Sequence, residues 1–543
     1  MKKTISILLL VAMVLALMAG CGKTEEAPAA APAAQEAPAA AISAPAKIEE
    51  PAPEGGITRG GTLVVAKQKA MDKGLDITKD SDCSSAFTAM ATIYECLFAF
   101  DEGGNPAPCL ATEWTWAADG LSLEVKLRDD VSFSNGEKFN AEAVAKCMNY
   151  YLTEECAHVF KSSDLSCIEK VDVVDEYTVN IVLSAPDAGL CAELASCSGM
   201  IAAPAVVDAK FACDPIGTGA YVLDEYKEGE YLSVKANPNY YRMGEDGQPL
   251  PYLDGIKFLF VTDDTTAITN LKAGSVNGID RLSSSSSTFT AQGMDTVNLL
   301  QNPVTQCYNI TFNLLDETLK NDKLREAIVC AINSDEILEI AMEGLGANTG
   351  FWTDEAKWFY NDYNPAAYDL EKAKSLMAEA GYANGLNLEL AIISREPDNT
   401  VAQLVQAQLA EIGINVTISA MDSASWVAYV RTDHKEQLAI SLAGNAGYEP
   451  SKGWTVILKS FGDVGTGLDM VDHLNELVMA TKSETDSAKR NAMIDEYQRT
   501  ILDNNLTAVI GHKYQYGAFQ TSVHGVNFHF YGWLEFTNAW MDA

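Results

Sequence analysis

Two hydrophobic periods, one of about two residues and one of about 3.6, divide most of this chain into strands and helices. A continuous apolar run, Leu63-Val64-Val65-Ala66 after Gly61-Thr62, predicts a first strand buried on both faces. Leu121, Leu123, Val125 and Leu127 alternate with polar residues and lead into Val131, Phe133 and a Ser134-Asn135-Gly136 turn, which predicts a hairpin or meander. Val171 to Leu183, crossing Asp175-Glu176, predicts a second such unit, and Asn140 stands as N-cap of a helix from Ala141 to Leu152.

Helical spacing dominates the second half. Asp322, Leu324, Ile328 and Ile332 lie on one face, as do Leu370, Ala373, Met377 and Ala380 of a helix stopped by Gly381. The most informative unit follows. Leu386, Leu388, Leu390 and Ile392 alternate as a strand, Ser394 to Asn399 form a polar loop, and Val401, Leu404, Val405, Leu409 and Ile412 share a helical face. After Gly413, Ile414, Val416 and Ile418 make another strand. Such a crossover is expected to be right-handed in a parallel or mixed sheet, where ligands bind beyond the carboxyl ends of the strands. Arg395 stands in that loop, just before a helix N-terminus, and an arginine so placed can hold a carboxylate bidentately. A surface pair with Glu396 or Asp398 is the alternative reading of the same residue.

The amino terminus has another character. Met1-Lys2-Lys3, an apolar run from Ile5 to Leu17 and Met18-Ala19-Gly20-Cys21 read as a secretory signal over residues 1–20 with Cys21 as a site for lipid attachment. The run falls short of the roughly 20 apolar residues that a membrane span needs. Residues 21–58 are rich in Ala, Pro and Glu and have little to bury, so a disordered tether is expected. The remaining stretch, about 485 residues, is too long for one core and implies at least two lobes.

A formal charge of −37 argues against a nucleic-acid partner. The chain has 12 cysteines, and none outside Cys21 forms a C-x-x-C pair; disulfides and small buried thiols both remain open for them. The six histidines form no ligating cluster, and there is no G-x-S-x-G elbow, phosphate loop or zincin motif, so neither a metal, nor a cofactor, nor an enzymatic reaction is expected.

Several segments, in order along the chain, resemble the peptide/nickel family of bacterial extracytoplasmic solute-binding proteins. They include Gly60-Gly61-Thr62-Leu63, Ile93-Tyr94-Glu95-Cys96-Leu97, Leu110-Ala111-Thr112-Glu113-Trp114 and the block from Asp119 through Val144. Pro215-Ile216-Gly217-Thr218-Gly219-Ala220-Tyr221, Asn237-Pro238-Asn239-Tyr240-Tyr241, Leu271-Lys272-Ala273-Gly274, Leu324-Arg325-Glu326-Ala327-Ile328 and Ile412-Gly413-Ile414 continue the likeness. Ala220 departs from the family's frequent Pro, and Ser134 from its His or Asp.

The resemblance implies a two-lobed α/β clamp with mixed sheets, monomeric and lipid-anchored to the cell membrane, that closes on a peptide or other small solute and delivers it to the permease subunits of an ATP-binding-cassette importer. Lobe I would comprise 59–103, 214–300 and 512–543, with an extra subdomain at 104–213, and lobe II would be 301–511. Arg395 occupies a place similar to the arginine that holds a peptide carboxylate in relatives. Trp426, Asn445, Tyr448 and Glu449 are the further candidate ligand contacts, with Trp352 and Trp454 nearby and core packing as the competing role for each tryptophan. Where relatives carry an aspartate for the peptide ammonium this chain has Gly447, so Glu449 would have to substitute or the solute would lack an amine there. A metal chelate, an oligosaccharide or another small organic acid is the alternative solute; a secreted lipoprotein hydrolase and a sensory lipoprotein are the rival functions.

Overall fold

The computed structural model describes residues 56–71, 73–79, 87–101, 104–156, 158–302, 306–348, 350, 363–365, 367–444, 458–462 and 465–543. The candidate residues Cys21, Asn445, Tyr448 and Glu449, and Trp352 and Trp454 beside them, lie outside the described residues.

Two mixed sheets form the centres of two lobes. In the first, Thr62–Lys67 lies parallel to both Gly255–Phe260 and Gly278–Leu282, and antiparallel strands extend the sheet to seven. Its central strand is buried on both faces, as its unbroken apolar run requires: Leu63 and Val65 pack into one cluster, while Ala66 packs on the other against the Asp264–Lys272 and Ser285–Gln292 helices. The second sheet has six strands. There Leu386–Ile393 and Ile414–Met421 run parallel in the register Leu386↔Ile414, joined by the Asp398–Ala410 helix, which is the crossover that the hydrophobic pattern predicted. Val401, Val405 and Leu409 on the helix and Leu388, Leu390 and Ile414 on the strands are buried together in the second lobe's core.

A four-stranded antiparallel sheet, Ala111–Trp116, Ser122–Leu127, Thr178–Leu183 and Ile168–Asp175 in that order, belongs to the first core. The second hairpin is as predicted. The first differs: Ser122–Leu127 pairs with Ala111–Trp116 before it, and the Ser134-Asn135-Gly136 turn closes only an isolated bridge between Ser132 and Lys138. The reason is that Ser134 donates its amide to the Gly217 carbonyl at 2.9 Å, so this turn is committed to another part of the chain. Asn140 caps its helix as expected, accepting from the Ala143 amide at 2.9 Å.

Several of the sequence segments singled out above converge physically. The Glu95 carboxylate accepts from Thr218 Oγ1 at 2.9 Å and from the hydroxyls of Tyr240 and Tyr241 at 3.0 Å, and pairs with Arg242 at 3.0 Å. Gly217 and Gly219 must be glycine because a Cβ there would stand 2.2 Å from the Ile93 carbonyl oxygen and 2.5 Å from that of Thr92. In the second lobe Arg325, 1% exposed, donates to the carbonyls of Leu319, Lys320 and Asn504. Among the described cysteines both chemistries occur: Cys197 is disulfide-bonded, whereas Cys96, Cys109, Cys147, Cys307 and Cys330 are buried thiols. Burial pushes the Cys147 thiol up to about 11, so it stays protonated and inert.

Candidate functional site

The chain passes between the two sheets twice. Gln301 ends a strand of the first and Gln306 begins one of the second, while Lys513 ends a strand of the second and Tyr516 begins one of the first. Asn302 donates its amide to the Gln515 carbonyl at 2.8 Å, tying the two passages side by side.

A cavity of about 260 Å³ opens at this junction, and each lobe supplies a wall. From the first lobe come Leu282, Ser283, Ser284, Ser285 and Thr288, where the Gly278–Leu282 strand runs into the Ser285–Gln292 helix. From the second come Tyr308 and the Arg395-Glu396-Pro397 loop at the carboxyl end of Leu386–Ile393, and the passage adds Lys513, Tyr514 and Gln515. Both lobes thus present the carboxyl ends of parallel strands to one space, the location at which open α/β sheets bind ligands.

Arg395 is 45% exposed and its Nε donates to Asp398 Oδ2 at 3.1 Å, so the ion pair weighed from the sequence is formed. That bond uses Nε alone; the Nη1 and Nη2 edge has no partner among the described residues. Asp398 is 2% exposed; burial raises its pKa and the Arg395 charge opposes the rise. Glu396 is turned to its own helix, accepting from Asn399 Nδ2 at 3.3 Å and Thr400 Oγ1 at 2.8 Å. Across the cavity Asp264 accepts from the amides of Ser283 and Ser284 at 3.1 and 3.0 Å, and Ser284 caps the next helix through the Ser287 amide.

Trp426 sits elsewhere. It is 2% exposed, donates from Nε1 to the Ala391 carbonyl at 3.4 Å and packs with Val430 and Ala439, so it serves as core beneath the sheet. The serines and Lys513 escaped the sequence reading. The Ser283–Ser287 run directly after a strand was a usable signal, because strand ends are where such sheets bind; for Lys513 there was none. A larger cavity of about 430 Å³ lies between Trp114, Trp116 and the start of the Ser487–Asp503 helix, which carries Arg490, away from the parallel strand ends.

The family model for bacterial extracellular solute-binding proteins, family 5, matches residues 105–463. The chain belongs to this family. Among curated proteins it is similar to the glutathione-binding protein GsiB of Escherichia coli (strain K12), 27% identical over 356 residues, covering 65% of this chain and 68% of the relative. Among solved structures it is similar to HbpA2 from Haemophilus parasuis, with a TM-score of 0.77 and 22% identity over 90% of this chain and 100% of that one. A dipeptide-binding protein of Pseudoalteromonas sp. SM9913 in complex with Met-Leu gives a TM-score of 0.65 and 20% identity, covering 89% and 100%. The fold is therefore that of a two-lobed binding protein, and membership of family 5 places the chain among bacterial extracellular solute-binding proteins. Among the described residues no helix is long and apolar enough to cross a membrane, and no group of three or more His, Cys, Asp or Glu is placed to hold a metal.

Proposed function

We propose that the protein captures a small carboxylate-bearing solute, a peptide first among them, by closing its lobes, and delivers it to the permease subunits of an ATP-binding-cassette importer. The observation that carries this reading is Arg395 in the wall of the junction cavity, with the outer edge of its guanidinium unengaged and its Nε fixed by a buried aspartate. An arginine oriented in this way is prepared for fork-to-fork recognition of a carboxylate, and closure around a bound solute shifts an open–closed equilibrium that a permease can sense. The relatives named for glutathione and crystallised with Met-Leu are consistent with it, since both molecules carry free carboxylates. Glu449, with Asn445 and Tyr448 beside it, is the group we assign to a peptide ammonium. The division into lobe I, an extra subdomain at 104–213 and lobe II belongs to the same reading.

Native mass spectrometry of co-purified material, followed by calorimetry with dipeptides and glutathione, tests the proposal. Arg395→Ala is expected to weaken the bound solute by about 1.5–3 kcal/mol, the range for a hydrogen bond to a charged group. If no carboxylate solute binds at millimolar concentration, or if Arg395→Ala leaves the dissociation constant unchanged, the reading is wrong.

We further propose that Cys21 carries a lipid that holds the clamp beside its permease, with residues 21–58 as the tether. Cys21→Ala is expected to move the protein from the membrane fraction to the soluble one. Full retention in membranes would argue for an uncleaved anchor instead.

A further inference from the structure

The junction cavity contains a second cation that the reading above leaves unused. Lys513 lines it at the end of the Thr507–Lys513 strand, and among the described residues it makes no ion pair. The charged group acting on it is Glu343, and burial lowers its pKa. The acids beside the cavity each have a partner, although Asp398 is engaged through Oδ2 alone. Asp398 is bonded to Arg395, Glu396 to Asn399 and Thr400, and Asp264 to the amides of Ser283 and Ser284. Ser285, 2% exposed, lines the same cavity, and its Oγ has no hydrogen-bond partner among the described residues. A buried hydroxyl left unmatched costs free energy that a ligand oxygen would recover. In a chain whose net charge is −37, a cavity lined by two cations, the single carboxylate of Glu396 and an unmatched hydroxyl is locally net positive.

We propose that the solute carries two anionic groups, one held by Arg395 and the other by Lys513 with Ser285, and that Lys513 selects for the second. The inference rests on the reading that Arg395 holds a carboxylate. A volume of about 260 Å³ suits a molecule of dipeptide size, so the class is a small peptide with an acidic side chain, or a dicarboxylate of similar length.

Calorimetry with Ala-Glu and Ala-Gln, which differ only by charge at nearly equal shape, is the test. Ala-Glu is expected to bind at least about tenfold more tightly, the effect of one hydrogen-bonded charge. In Lys513→Met the ratio of the two dissociation constants should fall to near one, and in Lys513→Arg, which keeps the charge, the preference should persist. Thermal melts of both variants establish that they fold. Equal binding of the two dipeptides to the native protein, or a preference that survives in Lys513→Met, overturns the second anchor alone. Failure of both dipeptides and of glutarate to bind overturns it together with the carboxylate reading on which it rests.

Discussion

Replacing Glu95 by alanine is expected to destabilise the first lobe by about 3 kcal/mol, read as a lower midpoint in urea unfolding with an unchanged slope. The carboxylate has four donors drawn from two separated stretches of chain: Thr218, and the consecutive Tyr240, Tyr241 and Arg242. Removing it orphans Thr218, which is 1% exposed, and the Tyr240 hydroxyl on a residue 6% exposed, and leaves a guanidinium without its carboxylate. Breaking a buried pair from one side costs about 3–5 kcal/mol, and the lower end applies because the Arg242 side chain is 41% exposed and water screens it. Burial pushes the Glu95 pKa up while Arg242 and the hydroxyls pull it back. Glu95→Gln keeps an acceptor for the hydroxyls and should therefore lose less. An unfolding midpoint within error of the native one in Glu95→Ala would show that this network does not brace the lobe.

Stability is expected to fall as pH rises from 6.5 to 8.5, and Glu436→Gln to remove most of that fall. Glu436 is 2% exposed and neither carboxylate oxygen has a partner among the described residues; burial, with Glu389 adding to it, raises its pKa to about 8 from 4.5. An acid whose folded pKa lies above its unfolded one keeps a proton in the folded state that the unfolded chain releases. Its presence is harmless below the unfolded value and increasingly costly as pH rises through the window between the two, on the order of 4 kcal/mol when the window is passed. On the acid side the sign reverses. His158 and His512 are buried and their pKa values are lowered to about 4, so the unfolded chain takes up protons first and stability falls as pH drops below 6.5. Unfolding free energies measured at pH 5, 6.5 and 8.5 decide the matter: an alkaline decline of equal size in Glu436→Gln would place its origin elsewhere, and the acid decline should be the same in both proteins.

The strand, helix and strand around Arg395 were legible because both periods are strong there and glycines mark the ends; the expected strand from Leu386 and the one from Ile414 begin where the structure begins them. The pairing of Ser122–Leu127 was not, because alternation specifies which face of a strand is buried and says nothing of its neighbour. Trp426 illustrates the same gap. A tryptophan near a binding loop in sequence reads as a ligand platform, yet its helix turns it under the sheet onto Ala391 and Ala439.

By itself the sequence determined the alternation of strands and helices, the two-lobed α/β class, the family and one cation of the candidate site, since each rests on local periodicity or on segments in a fixed order. Only the tertiary structure decided what Glu95, Gly217 and Gly219 are for, and that Ser285 and Lys513 share a cavity with Arg395. Ser285, Arg395 and Lys513 lie more than a hundred residues apart in the chain and come together only because it passes twice between two sheets, a juxtaposition that no local pattern encodes.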